Sequence, residues 1–437
     1  VHNEASVKSQ TSGSIAAMAQ TNQRIDGERL WRTLMQFAEI GATPKGGVKR
    51  LALTDVDAAG RALFTRECVA AGCTVRVDSM GNMFARRPGR DAARLPVLMG
   101  SHLDSQPTGG KFDGALGVIA GLEVLRSLND LEILTEAPVE LVNWTDEEGA
   151  RFGRAMMGSA VWAGISDEAA VKALRDEEGL SVGEALEAIG FAGPVPCEAF
   201  AADAMFELHI EQGPILEAEG VAIGVVTGAQ AQIWWHATVT GQDSHAGTTP
   251  PVARRDALLT AARIIDLVDR MMREGGDGTI TDTGRGTVGR LTVAPNSPNV
   301  IPGEVKFTVE FRHPSDDRIA DLVARFPIEA AAIATANGTT LTLEEVFRVR
   351  AQPFDADCVA LVEQAAQKTG ISYRRIVSGA GHDAVHVATR IPTAMIFTPC
   401  KDGLSHNEAE SVEPDEAAAG TQILFEAVLA RANRKQN

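Results

Sequence analysis

The chain has 437 residues, 44% of them apolar and 23% charged, the make-up of an ordinary globular protein and long enough that two domains are expected. Acidic residues outnumber basic ones 58 to 41, for a net charge of -17, which argues against the Lys and Arg clusters that grip a phosphate backbone and so against a nucleic-acid partner. No apolar run approaches the ~20 residues needed to cross a bilayer, and the scattered Cys68, Cys73, Cys197, Cys358 and Cys400, with no Cys-x-x-Cys pair, fit a reduced, cytoplasmic setting.

In chain order, residues 1–26, rich in Ser, Ala, Gln, Asn and Thr, read as a mobile tail whose apolar patch at 15–19 is too short for a secretory signal. From about Asp26, Leu30, Leu34 and Phe37 fall at the spacing of one buried helical face. Thr54 is a good N-cap for a second helix that carries Leu63 and Val69 toward Gly72. The period then changes: residues 74–77, 83–85 and 95–99 are short β-like runs between Gly and Pro turns, 114–128 reads as a helix and 139–144 as an apolar strand. Strand and helix alternate beyond this point. The pattern predicts an α/β domain over 27–225 and 343–437 with a mostly parallel central sheet covered by helices. Between its halves, residues 226–342 predict an inserted α+β domain of four strands (233–240, 287–293, 304–312, 340–349) and two helices (254–272, 316–336).

Chemistry-bearing residues recur where apolar runs end. His102 lies in Ser101-His102-Leu103-Asp104-Ser105, Asp113 precedes Gly114, Glu147 and Glu148 follow the strand at 139–144, His209 closes another apolar run and His406 lies in Ser405-His406-Asn407-Glu408. In open α/β sheets, ligands gather beyond the carboxyl ends of the strands. A single His or Asp is ordinarily surface or core, and it is the repetition in one local setting that carries weight. Together His102, Asp113, Glu148, His209 and His406 supply two imidazole-containing sites sharing a carboxylate, which suits a pair of divalent ions such as zinc. Glu147 is left over, a carboxylate suited to take a proton from an activated water.

In combination, Gly100-Ser101-His102-Leu103-Asp104-Ser105, Gly110-Lys111-Phe112-Asp113-Gly114, Asp146-Glu147-Glu148-Gly149, His209-Ile210-Glu211-Gln212-Gly213 and Ser405-His406-Asn407-Glu408 resemble the dinuclear metallohydrolases of the M20 peptidase family. More narrowly the chain is similar to the amidase branch, which comprises N-carbamoyl-L-amino-acid amidohydrolases, β-ureidopropionases and allantoate amidohydrolases. Dipeptidases and aminoacylases are the next alternatives. The resemblance implies that Asp113 bridges two metals, that His102 and His209 complete one site, and that Glu148 and His406 complete the other. It makes Glu147 the general base and gives Asp104 the task of orienting the His102 imidazole through its other nitrogen. His245, in Asp243-Ser244-His245-Ala246-Gly247, matches the family's oxyanion donor, while Gln212, Asn299, Arg312, Gly381 and His382 match its substrate contacts. A guanidinium offers a two-pronged fork for an α-carboxylate, and an imidazole or amide N–H can steady an oxyanion.

The implied reaction releases amino acid, ammonia and carbon dioxide from an N-carbamoyl-L-amino acid. Two divalent ions per subunit are implied, zinc foremost, with manganese, cobalt or nickel compatible with the ligands. The family also implies a homodimer formed through the inserted domain, which acts as a lid that closes on the substrate.

Overall fold

The computed structural model describes residues 24–274, 276, 278, 279 and 284–435, so residues 1–23 of the expected tail lie outside it. In chain order its strands are β1 (Thr74–Val77), β2 (Met83–Arg87), β3 (Val97–His102), β4 (Val139–Trp144), β5 (Ala204–Ile210), β6 (Ile223–Ala229), β7 (Ala231–Thr240), β8 (Ser244–His245), β9 (Arg285–Thr287), β10 (Leu291–Ala294), β11 (Val300–Ile301), β12 (Glu304–His313), β13 (Thr340–Val349), β14 (Gln352–Pro353), β15 (Tyr373–Ser378) and β16 (Thr393–Thr398). The chain forms two compact units, one running up to Gly228 and resuming at Phe354, the other spanning Ala229–Pro353.

In the first unit the strands run in the order β1-β2-β4-β3-β5-β16-β6, with β15 also beside β6. The sheet is mixed rather than mostly parallel. Along this order the central pairs β4–β3, β3–β5 and β5–β16 are parallel, while β1–β2, β2–β4 and β16–β6 are antiparallel. A five-residue turn folds β2 back on β1, and no crossover helix separates them, so that edge cannot be parallel.

Side chains alternate across the central strands, so Val97 and Met99 join one core and Leu98 the other. The first core is closed by helix Ala115–Asp130, buried on nearly every face, and by helix Pro414–Ala432. The second holds Phe84, Trp144 and Trp162, whose rings meet edge-on. Thr54 caps helix Asp55–Ala70 by accepting the Asp57 N–H, a contact worth about 1 kcal/mol.

The second unit has five sheet strands rather than four. Their order is β10-β12-β7-β13 with β9 also on β12, and β8 and β11 form a separate ribbon. The run read as one strand over 287–293 is broken. Thr287 faces Glu310 and Leu291 faces Phe307, so three residues stand opposite two and the extra one forces a bulge. Ile233, Trp235, Ala237 and Val239 of β7 point into a core shared with helices Ala257–Arg273 and Asp316–Ala336. Trp234, one residue out of phase, stays on the other face against Phe347.

Candidate active site

The parallel alignment of β4, β3 and β5 brings their carboxyl ends side by side. His102 is the last residue of β3, His209 the penultimate residue of β5, and Thr145–Glu148 follow β4 directly. Asp113 and Gly114 lead into helix Ala115–Asp130, and His406 comes from the loop after β16. Gly114 has φ 63°, and a Cβ there would lie 2.3 Å from the His102 ring, so only glycine lets this turn approach the imidazole.

These residues form two groups that share Asp113. Ligand atoms of His102, Asp113 and His209 lie within 4.8 Å of one another, as do those of Asp113, Glu148 and His406. Asp113 Oδ1 is 3.1 Å from His209 Nε2 and 3.9 Å from His102 Nε2. Its Oδ2 is 3.4 Å from His406 Nε2, which in turn is 3.2 Å from Glu148 Oε2. One carboxylate thus presents one oxygen to each group.

The tautomers suit a cation. His102 Nδ1 lies 3.0 Å from the Asp104 carbonyl and His209 Nδ1 2.9 Å from the Ile210 carbonyl. Because a carbonyl only accepts, each Nδ1 carries a proton, which leaves Nε2 as the nitrogen whose lone pair can be turned to a cation. His102 Nε2 is buried with no hydrogen-bond partner, a costly position for a polar atom unless a ligand meets it. The His102 contact differs from the expectation for Asp104. The carboxylate is 3.7 Å from Nδ1, beyond hydrogen-bonding distance, and its oxygens instead accept the main-chain N–H groups of Glu147 and Glu148 at 3.3 and 3.2 Å.

Electrostatics set the same requirement. Burial, followed by the neighbouring Asp383, Glu148 and Asp113, pushes the Glu147 carboxyl well above the ordinary carboxylate range. Asp104 is pushed up to about 7 and Glu410 to about 8, burial being the main cause for each. Burial would raise Asp113 too, but the hydrogen bond and charge of His209, then His102, hold it below the usual range. Burial works against a charged His209, yet Asp113 lifts it to about 9, and the hydrogen bond to Glu148 lifts His406 to about 9. Burial lowers His102. So many buried acids around two groups of imidazoles fit divalent cations, whose binding would expel the protons on His209 and His406. Glu147 Oε2 stands 3.5 Å from His102 Nε2, beside the first group.

Other residues hold the ligands. The Gln212 amide donates to Asp113 Oδ2 at 2.9 Å and Ser405 Oγ donates to the same oxygen at 2.6 Å. Gln106 grips both oxygens of Glu148 through its main-chain and side-chain nitrogens. Three supporting residues escape the sequence reading: Gln106, Glu410 and Glu207. Glu410 Oε1 accepts the N–H groups of Phe112 and Asp113, and Glu207 accepts Ser101 Oγ at 2.6 Å and Ala384 N at 2.9 Å. Glu207 did leave a signal, since an acid inside the apolar run of β5, two residues before His209, shares its face of the sheet. His382 is buried, bonds Ser378 Oγ and meets the His209 ring edge-on at 4.5 Å, so it packs against a ligand candidate. A Cβ on the adjacent Gly381 would meet Met156 at 3.0 Å.

The remaining sequence candidates belong to the second unit. Ribbon β8–β11 pairs His245 with Val300, and Ala246 N–H donates to the Asn299 carbonyl, so His245 and Asn299 are neighbours. His245 Nδ1 accepts the N–H groups of Gly247 and Thr248, which leaves Nε2 as the proton-bearing nitrogen. Arg312 projects from β12 and donates to Glu310, which also accepts the Trp234 indole N–H.

Histidines and carboxylates gathered beyond the ends of parallel strands, with one Asp common to two groups, have the make-up of a divalent-metal centre. Residues 98–430 match Peptidase family M20/M25/M40, and the chain belongs to that family. It is 47% identical over 408 residues to an N-carbamoyl-L-amino-acid amidohydrolase of Rhizobium meliloti, covering 93% of this chain and 97% of the relative. An allantoate amidohydrolase of Bacillus subtilis is 33% identical over 390 residues, covering 89% and 93%. Among solved structures, an amidase of the hydantoinase/carbamoylase family from Burkholderia multivorans is 53% identical, with a TM-score of 0.91 over 95% of this chain and 100% of that one.

Proposed function

We propose that this protein is a metal-dependent amidohydrolase that cleaves the carbamoyl C–N bond of N-carbamoyl-L-amino acids. The observation that carries the reading is the pair of ligand groups sharing Asp113, in a chain 47% identical to a protein named for that activity. His102, Asp113 and His209 would hold one divalent ion and Asp113, Glu148 and His406 a second, zinc being the foremost choice for this mixture of imidazole and carboxylate. When bound, such ions polarise a carbonyl and lower the pKa of water.

Glu147, free of both groups, takes the proton from the attacking water and returns it to the leaving nitrogen. Its carboxylate, beside the first group and outside both ligand sets, is placed for both halves of that task. Arg312 and Asn299 anchor the substrate's α-carboxylate, and His245 Nε2–H donates to the oxyanion. Gln212 and Gly381 complete the substrate contacts, with His382 supporting His209 from behind. One water is consumed, and the products are the amino acid, ammonia and carbon dioxide. The second unit serves as a lid and as the interface of a homodimer. The five free, buried cysteines suit a reducing, cytoplasmic compartment, and no helix among the described residues is long and apolar enough to cross a membrane.

The test is ammonia release by metal-loaded protein from N-carbamoyl-L-amino acids, N-carbamoyl-β-alanine, allantoate and dipeptides. Turnover of the first class supports the proposal. Turnover of allantoate alone would favour the activity for which the 33% identical relative is named, and cleavage of dipeptides alone would overturn both.

A further inference from the structure

The loop that carries Glu147 is held in an unfavourable shape. Asp146, a non-glycine residue, sits in the left-handed region at φ 53°, and so does Met156 at φ 54°, next to Met157, whose N–H donates to the Asp146 carbonyl at 3.1 Å. A backbone bent this way relaxes unless both flanks are fixed. On the far flank, Asp104 accepts the N–H groups of Glu147 and Glu148, and Met156 N–H donates to the Glu147 carbonyl at 2.7 Å. On the near flank the fixed residue is Thr145. Its carbonyl accepts Gly158 N–H at 2.9 Å, and its own N–H donates to Asn82 Oδ1 at 3.0 Å.

Asn82 is fully buried and its orientation is dictated by chemistry. Its Nδ2 donates to Asp78 Oδ2 at 2.8 Å and to the Gly158 carbonyl at 3.2 Å, so the opposite edge of the amide must be the acceptor for Thr145. Asp78 locks the turn between β1 and β2 by also accepting the N–H groups of Met80 and Asn82. A buried Arg61 ties the same two pieces together, donating to the Gly81 carbonyl at 2.6 Å and to Thr145 Oγ1 at 3.2 Å. There is no slack on the other side. A Cβ on Gly158 would lie 2.1 Å from Asn82 Oδ1 and 2.8 Å from Thr145 N.

We propose that Asn82 is a positioning residue for Glu147: its amide, set by Asp78 and Gly158, fixes Thr145 and so holds the strained turn that aims the Glu147 carboxylate. Asn82 touches neither metal ligand nor substrate. Proton transfer depends steeply on the placement of the base, and a displacement of about 1 Å costs about a hundredfold in rate. The other candidate ligands His102, Asp113, His209 and His406 stand on other segments, and Glu148, on the same loop, is held separately by Gln106 at both carboxylate oxygens, so metal content and substrate affinity stay in place.

The inference rests on the proposed hydrolysis, and the experiment separates the two. Unsubstituted protein is assayed first, and absence of ammonia release there would count against the hydrolysis reading alone. Asn82→Ala and the gentler Asn82→Ser, which leaves a small hydroxyl in the same space, are then compared for kcat, KM, metal stoichiometry and crystal structure. The expected result is a kcat lower by about ten- to a hundredfold, with KM and metal stoichiometry unchanged and Glu147 displaced. Gly158→Ala, which presses on the same contact from the opposite side, should reproduce the kcat loss. A purely structural Asn82 would lower the melting temperature while kcat per metal-loaded molecule stayed at the wild-type value, and that result would overturn the proposal. So would a crystal structure of either Asn82 variant with Glu147 unmoved, whatever the assay of the parent protein had shown.

Discussion

The two units treat their polar residues in opposite ways. At the cluster of the first unit His102 and His209 are 1% exposed and Glu147 8%, with His406 alone of the ligand candidates exposed. Each Nδ1 of His102 and His209 bonds a nearby carbonyl, but the Nε2 atoms face acids from segments far apart in the chain. In the second unit His245 and Asn299 are exposed, and His245 and Arg312 bond residues two or three positions away. Burying charge is costly and is tolerated where groups pair or meet a cation, so the first arrangement speaks for a ligand by itself. The second costs the fold little. Its assignment rests on residue type and motif alone.

The contrast can be broken or sharpened by measurement. Glu147→Gln should lower turnover roughly a thousandfold with metal content unchanged, as read by ammonia release beside elemental analysis; near-normal turnover would remove Glu147 from the chemistry. Chelation should lower stability by about 2–4 kcal/mol relative to protein at ~100–1,000 times the metal's Kd. Denaturant titration with and without chelator checks this, and coincident curves would mean that the buried cluster needs no cation. Arg312→Ala should raise KM by roughly ten- to a hundredfold, the worth of a charge-assisted hydrogen bond, while melting stays near that of the parent. A kcat loss at constant KM would place Arg312 in the chemistry instead.

The pH dependence of the metal-free protein sharpens the same point. Asp104 and Glu410, pushed up to about 7 and about 8, bind more protons folded than unfolded between roughly pH 4 and those values, so stability falls as pH rises through that window. His209 and His406, raised to about 9, contribute stability that is fully present below about 6.5 and lost as pH climbs through 9. All four effects have one sign. The melting temperature of chelated protein should fall from pH 7 to 9, above the range in which the burial-lowered His102, His382 and His386 act with the opposite sign, and metal should flatten the slope. The smallest effect is Ser315→Ala, which removes the N-cap of helix Asp316–Ala336. It should cost the second unit about 1 kcal/mol and leave metal affinity untouched.

What was legible in the sequence follows from how local each cause is. Strands β1, β4 and β13 and helix Asp316–Ala336 were read at their observed bounds because apolar period and caps are written in adjacent residues. The five ligand candidates were legible because His and acids at the ends of apolar runs have few structural reasons to be there. The antiparallel edges of the sheet were not, since the direction of β6 beside β16 depends on how distant segments dock. Nor was Glu410, which reaches Phe112 across nearly 300 residues. The bulge between β9 and β10 depends on register against β12, which neither segment reveals by itself.

The bond from Glu410 to the Asp113 turn has a temporal meaning. His406 and Glu410 are synthesised after the whole second unit, so a chain still emerging from the ribosome has His102, Asp113, Glu148 and His209 in hand but cannot close the ring around them. Completion of the proposed metal centre therefore belongs to the last stage of biogenesis, and a nascent chain stalled before residue 405 should bind divalent ions more weakly than the full chain.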